Sequence, residues 1–291
     1  METMNIVCFG FGQVAKNFIK KLNNNGVSFK LTTTSRERSD IRIFENTNYE
    51  SFQLTEKSFD KNFIKKLENA DYILLSIAPI NGVDVVIKNF KNHFKLNKIK
   101  WMTYLSATSV YGDHSGKWVS EKSETSPTSS NGISRLKAEK AWIELSGEHN
   151  LPIQIFRLSG IYSNQNNILA RLKTGDAKII DKKNQFFSRI HVEDIANILF
   201  KSLKNLKTKE IYNISDDKPT SHEELILYGS KLLNIKKPKV VELSSIESEM
   251  VKNFYKDSKK VNNKKMKEFF NYKLKYPTYV EGLNYVFNNT I

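Results

Sequence analysis

The chain has 291 residues, 46 of them Lys or Arg against 31 Asp or Glu, which gives a formal net charge of +15. That length suits one large α/β domain, or a main domain with a smaller lobe, and 39% hydrophobic content supplies a globular core. The longest apolar run, Tyr72 to Ile80, is far too short for a bilayer span, and the one cysteine, Cys8, cannot form an internal disulfide. Met4 to Phe9 leads at once into an apparent strand with no basic flank or cleavage site, so a cytoplasmic protein is expected. The basic residues are spread along the chain, with some concentration between Lys236 and Lys267, and form no dense stripe with interleaved aromatics. They read as a lysine-rich solvated surface, and no nucleic-acid or membrane partner is expected. A positive field of this kind favours the approach of an anionic ligand.

In chain order, Asn5 to Phe9 reads as a short strand and Gly10-Phe11-Gly12-Gln13-Val14-Ala15 as a turn entering a helix. That helix places Val14, Phe18 and Leu22 on one face and is closed by Gly26. Val27 to Thr33 is a second strand. Strand, glycine turn, helix and strand within about thirty residues make a dinucleotide-binding unit. Gly10 serves the tight turn, Gly12 lets a pyrophosphate approach the backbone, and Ala15 keeps helix and strand close. The helix start at Gln13 and Val14 offers free N–H groups to phosphates. The second strand ends in Thr34-Ser35-Arg36-Glu37-Arg38, without an acidic residue at its tip to take the adenosine ribose hydroxyls. Ser35 and Arg36 favour NADP over NAD there.

Tyr49 to Leu54 suggests a third strand, Glu56 to Asn69 a helix, and Ala70 to Ala78 a buried parallel strand. The turn Pro79-Ile80-Asn81-Gly82 follows at the carboxyl edge of the sheet, which makes Ser76, Ala78 and Pro79 candidate cofactor contacts. A helix from Val83 to about Phe94 leads to the apolar run Trp101 to Leu105. The small residues Ser106 to Ser109 let a ligand lie close to the backbone before Val110-Tyr111-Gly112 ends the strand. A helix runs from Ile133, with Leu136, Ala141 and Leu145 on one face. Beyond it come a strand from Leu151 to Leu158, a helix from Ile168 to Lys173, a helix opened by the phrase Phe187 to Asp194 and running through about Lys204, and a strand from Glu210 to Ile214. The remainder reads as helices near Glu223–Leu233, Ser245–Phe254, Lys260–Phe269 and Tyr279–Phe287.

Phrases at residues 6–15, 105–112, 135–139, 157–162 and 187–194 carry a resemblance to the extended short-chain dehydrogenases/reductases, the group of NAD(P)-dependent epimerases and dehydratases. The resemblance implies an α/β fold, a Rossmann-type doubly wound parallel sheet with a smaller C-terminal substrate lobe. Residues 1–162 would bind NADP or NAD, and 163–291 would be mainly the lobe, with 187–214 returning to the main sheet. Arg157-Leu158-Ser159-Gly160-Ile161-Tyr162 and Arg189-Ile190-His191-Val192-Glu193-Asp194 match phrases at the entry to that lobe, which implies lobe roles for Ser159, Arg189 and His191.

In the resembled family a Tyr-x-x-x-Lys pair does the proton work, and a Ser or Thr on the preceding strand polarises the substrate oxygen. Counting back from Leu136-x-x-Glu139 sets Arg135 and Asn131 at the Lys and Tyr places. Counting back from Val110 sets Ala107 at the hydroxyl place, with Ser106 and Thr108 beside it. Asparagine exchanges no proton near neutrality, while arginine still holds a ribose or a phosphate. The pattern resembles atypical members that keep the cofactor fold and lose the tyrosine. Three substitutes could supply a proton: Tyr111 at the mouth of the site, His114, whose imidazole suits acid/base work, and His191 in the phrase at the lobe, where the other reading is a structural histidine; Thr108 and Ser106 remain donors to a substrate carbonyl. Ser106 and Arg135 join the cofactor contacts, and the five histidines show no metal spacing. The expected function is an oxidoreductase or epimerase/dehydratase acting on a small hydroxyl, carbonyl or sugar-nucleotide substrate. The alternative, motivated by Asn131 and Arg135, is a non-catalytic NADP(H) sensor. Family analogy extends to a homodimer through the helices near 83–94 and 133–147.

Overall fold

A computed structural model describes residues 3–80, 82–94 and 98–290; Asn81 of the expected cofactor-edge turn lies outside the described residues. The chain opens with β1 (Met4–Phe9) and α1 (Gln13–Asn24), whose Val14, Phe18 and Leu22 are buried as their spacing requires. β2 (Phe29–Ser35) leads to an unexpected hairpin, in which β3 (Asp40–Phe44) pairs antiparallel with β4 (Thr47–Gln53). Its turn places Glu45 and Asn46 at φ 44° and 64°, a conformation usually signalled by Asn-Gly or Asp-Gly. The helix expected over 56–69 shortens to α2 (Phe63–Glu68). Side chains divert the preceding backbone: Thr55 Oγ1 accepts the Ser58 N–H at 3.0 Å, and Asp60 Oδ1 accepts that of Asn62 at 2.9 Å.

β5 (Tyr72–Leu75) and α3 (Val85–Phe90) follow, the helix capped by Asp84, which accepts from the N–H groups of Val86 and Ile87. β6 (Trp101–Ala107) ends five residues before Gly112, because Thr108–Tyr111 coils into a 3-10 turn. After β7 (Trp118–Val119), α4 (Ser130–His149) starts earlier than Ile133, so Asn131 lies in its first turn. β8 (Ile153–Leu158), β9 (Gly160–Tyr162) and α5 (Ile168–Lys173) come next, then β10 (Ile179–Asp181), β11 (Arg189–His191), α6 (Val192–Ser202) and β12 (Ile211–Ile214). The chain closes with α7 (His222–Leu232), β13 (Val240–Glu242), α8 (Glu249–Phe254), β14 (Lys260–Val261), α9 (Lys264–Phe269) and α10 (Tyr279–Thr290). Lys260 and Val261 are strand, paired to β7, where helix was expected.

Eight strands form one sheet in the order β12-β8-β6-β5-β1-β2-β4-β3. β4, β2, β1, β5 and β6 pair in parallel, and β3 closes one edge antiparallel. The strand order runs outward from β1 in both directions, so the carboxyl ends of β1 and β5 flank the switch point at which such sheets take ligands.

The chain divides into two compact units. The first is Met1–Ala107, Ile133–Arg157 and Ile195–Tyr212; the second is Thr108–Gly132, Leu158–Asp194 and Asn213–Ile291. Residues 108–132 therefore group with the second unit and not with a 1–162 domain, and of 187–214 only 195–212 joins the first. In the first unit, Phe18 stacks on Trp101 at 5.7 Å, and Trp101 Nε1 donates to Ser202 Oγ at 3.0 Å. The second unit packs Ile168, Leu169 and Leu172 of α5 against Leu225 and Ile226 of α7 and Leu283 of α10. There the Asp194 carboxylate accepts from the Tyr272 hydroxyl and from the Lys275 and Tyr276 N–H groups, at 2.6, 2.7 and 3.0 Å.

Within the first unit, α4 is tied to the sheet by a buried ion pair. Arg157 of β8 gives Nη2 to Glu139 Oε2 at 2.7 Å and Nε to Oε1 at 3.1 Å, with both side chains under 5% exposed. Removing one partner of such a pair strands the other charge at a cost of about 3–5 kcal/mol. Glu139→Ala is therefore expected to lower unfolding free energy in urea by about that amount, and the double change Glu139→Leu with Arg157→Met to recover most of it. A single-variant loss below about 1 kcal/mol would show that the pair does not hold α4.

Candidate functional site

The first unit builds its site at the end of β1. Gly10 adopts φ +84°, and a Cβ there would stand 3.0 Å from Ser76 Oγ and 3.1 Å from Ile77 Cγ1. Its N–H donates to Thr34 Oγ1 at 3.1 Å. Ser76 Oγ lies 2.9 Å from Phe9 O and 3.0 Å from Gly10 O, donating to these carbonyls. Ser76 thus fastens the turn, while Ala78 and Pro79 beside it are half-buried. Thr34 is a site residue that sequence reasoning passed over, since only folding brings its hydroxyl to the turn.

Gly12 differs from Gly10. It is the N-cap of α1 at φ −83°, makes no side-chain cap, and a Cβ there would meet nothing within 4 Å. Gln13 is exposed, while Val14 and Ala15 turn into the core. The fold demands glycine at 10 but not at 12; the open space over Gly12 and the uncapped N–H groups of α1 make a cradle for a phosphate, with the helix dipole favouring negative charge. The residues present fit a dinucleotide pyrophosphate.

At the tip of β2, Ser35 is half-buried and Arg36 exposed. Arg36 makes no ion pair among the described residues. Glu37 is engaged by Arg42 of β3 at 2.7 Å, a partner supplied by the unexpected hairpin. At the end of β6, Ser106 is buried and its Oγ has no partner among the described residues. Arg135 of α4 donates from Nη1 to Leu105 O at 2.8 Å and lies beside Tyr104, whose hydroxyl burial keeps protonated. Gly10, Gly12, Thr34, Ser76, Ser106 and Arg135 all lie in the first unit.

The acid/base candidates lie in the second unit. Thr108 is half-buried in the turn after β6. Tyr111 is fully buried, and its hydroxyl donates to Asn213 Oδ1 at 2.7 Å, so it serves packing and not a site mouth. His114 is half-buried, its backbone N–H is held by Ser258 O at 3.1 Å, and its Nε2 has no partner among the described residues. Asn131 is exposed.

The lobe residues separate. Arg189 lines a cavity of about 190 Å³ together with Arg171 and His222, neither of which the sequence phrases singled out. Ser159 and His191 are buried away from its walls. His191 Nδ1 accepts the Glu193 N–H at 3.3 Å, and its ring packs on Tyr162 and Tyr276 at 5.0 and 4.2 Å. Burial pushes the His191 pKa down to about 4, against the nearby Glu193 carboxylate. Burial, followed by the charges of Arg189 and Arg171, does the same to His222. No three His, Cys, Asp or Glu residues among those described group as metal ligands, and no described helix is long and apolar enough to cross a membrane.

The sequence matches the NAD dependent epimerase/dehydratase family over residues 7–215. Among solved structures, it is similar to a functionally unknown conserved protein from Silicibacter pomeroyi, at 31% identity, 97% coverage of both chains and a TM-score of 0.84. It is also similar in fold to UDP-glucuronic acid 4-epimerase from Bacillus cereus in complex with NAD, at 16% identity, covering 98% of this chain and 99% of that one, with a TM-score of 0.76. A third likeness is to dTDP-glucose 4,6-dehydratase from Bacillus anthracis in complex with NAD, at 17% identity, 98% and 96% coverage, and a TM-score of 0.75. No curated protein matches the sequence.

Two outcomes test this geometry. Gly10→Ala is expected to destabilise the chain by about 1 kcal/mol or more through its positive φ, whereas Gly12→Val leaves the melting temperature nearly unchanged. A comparable fall in both would place Gly12 in the folding core. The depressed pKa values of His191 and His222 mean that the folded chain binds fewer protons than the unfolded chain between about pH 4 and 6.5. Their stabilising contribution is complete above about pH 6.5 and lost as pH falls toward 4, at up to about 1.4 kcal/mol per unit for each group. Urea unfolding at pH 7 and pH 5 reads this loss, and His191→Gln should reduce it; unchanged pH dependence would contradict the assignment.

Proposed function

The chain belongs to the NAD dependent epimerase/dehydratase family, a family of enzymes, and from that premise we propose that it binds NADP(H) at the Gly10–Ala15 turn. We infer that it acts as an oxidoreductase or epimerase/dehydratase on a small hydroxyl or carbonyl substrate. The observation that carries this reading is the open space over Gly12, where the fold tolerates a side chain and the sequence has none.

Each residue then has a physical task. The first N–H groups of α1 hold the pyrophosphate. Arg36, free of ion pairs among the described residues while Glu37 is neutralised by Arg42, supports the 2′-phosphate that distinguishes NADP. Arg135, braced on Leu105 O, takes the ribose-binding part of the lysine's role without a tyrosine to tune, and the Ser106 hydroxyl adds a hydrogen bond beside it. The nicotinamide, when bound, supplies hydride acceptance and donation. His114, whose Nε2 has no partner among the described residues, carries the proton, and Thr108 polarises the substrate oxygen. Tyr111 is left out because its hydroxyl is committed to Asn213.

Fluorescence titration with NADPH and NADH tests the cofactor assignment. NADPH should bind more tightly, and Arg36→Ala should weaken NADPH by about tenfold while leaving NADH unchanged. Equal loss for both cofactors would remove the 2′-phosphate role. For the chemistry, His114→Gln should lower turnover by about a hundredfold or more with NADPH affinity kept; undiminished turnover would remove His114 as the proton carrier.

A further inference from the structure

The cavity in the second unit has a composition that the dinucleotide reading does not use. Its volume is about 190 Å³, and its walls combine apolar Ile168 and Leu225 with Arg171, Arg189 and His222. Arg189 is largely buried, and its guanidinium is steadied from one side: Nη1 donates to Phe187 O at 3.0 Å and to Thr220 O at 3.3 Å. Neither Arg189 nor Arg171 makes an ion pair with a carboxylate among the described residues. Asp216 lies in the field of Arg189, yet among the described residues its carboxylate makes no ion pair and its buried Oδ2 has no partner; burial pushes its carboxyl well above the usual range. A cation held in a largely apolar enclosure without a contacting counter-ion is costly, and an anionic ligand offsets that cost.

His222 adds a neutral imidazole. Its Nδ1 pairs with the Tyr255 hydroxyl at 2.8 Å. Burial raises the Tyr255 pKa to about 12 and lowers that of His222 to about 4. In the tautomer whose Nδ1 accepts from the Tyr255 hydroxyl, the neutral ring presents an N–H at Nε2. Two guanidinium groups form a donor set for an oxyanion, which that imidazole tautomer extends. The volume is small beside the roughly 300–1,000 Å³ of pockets for drug-sized ligands, which favours a compact head group.

We propose that this cavity binds the oxyanion head of a small substrate, a carboxylate or a phosphate monoester, with a short carbon body against Ile168 and Leu225, and that it does not accept a nucleoside diphosphate sugar. The proposal rests on the reading above and names the substrate class as a small anionic hydroxy or oxo compound. Arg171 and Arg189 set that specificity.

Isothermal titration of the whole protein with 2-oxobutyrate, glycerol 3-phosphate and UDP-glucose, each with and without NADPH, tests it. At least one small anion should bind more tightly than UDP-glucose, and which one separates the carboxylate from the phosphate. Arg189→Met and Arg171→Met should each weaken that binding by about tenfold or more. Arg171 is exposed on α5, so its variant keeps the fold even if loss of Arg189 does not. Tighter binding of UDP-glucose, no binding of either small anion at millimolar concentration, or binding indifferent to both arginines would overturn the proposal. Small-anion binding without any NADPH binding would instead count against the dinucleotide reading, and NADPH binding without small-anion binding counts against this inference alone.

Discussion

Gly10 turns the chain at φ +84° where a Cβ would press on Ser76 Oγ and Ile77 Cγ1. Its N–H reaches Thr34 at the end of β2, and its carbonyl accepts from Ser76 beyond β5. Three parallel strands are thus joined at one residue by contacts that leave no room for a side chain. The geometry that follows is the exposed, uncapped start of α1, with Gly12 facing open space. The tight turn and the uncapped start of α1 follow from one steric constraint. A change at Gly10 acts on the fold, whereas Gly12 faces open space that the fold does not need.

Several of the phrases that link this chain to its family have structural reasons. Glu139 and Arg157 form the buried pair that ties α4 to β8. Asp194 gathers the hydroxyl and backbone donors of Tyr272, Lys275 and Tyr276. His191 fills an aromatic enclosure with Tyr162 and Tyr276. These groups build the frame, whereas Asn131 and Arg135, the residues counted to the Tyr and Lys places, take no part in these contacts. Retained frame phrases therefore speak for fold and cofactor, and they say little about which group moves a proton.

The glycine turn was legible because its signal is local: strand, Gly-x-Gly and amphipathic helix are adjacent in sequence. The helix Ile168–Lys173 was read from the same kind of pattern and found with the same limits. The β3–β4 hairpin escaped because its turn uses Glu45 and Asn46 at positive φ without a glycine. The early end of β6 escaped because the small residues from Ser106 onward fit either a strand or a turn. At the sites, Thr34, Arg171 and His222 were not singled out, since each is brought to its place only by contacts distant in sequence. Tyr111, expected at the mouth of the site, and His191, expected in the lobe, both have buried side chains; a phrase fixes the strand and not the depth of each ring.

The central claim is that a dinucleotide lies over Gly12 at the start of α1. Amide hydrogen exchange of the whole protein with and without NADPH tests it most directly. NADPH should slow exchange across residues 10–15, where the uncapped N–H groups of α1 meet the pyrophosphate, together with the β2 tip at 34–37. Slowed exchange elsewhere with residues 10–15 unchanged at saturating NADPH would contradict the account.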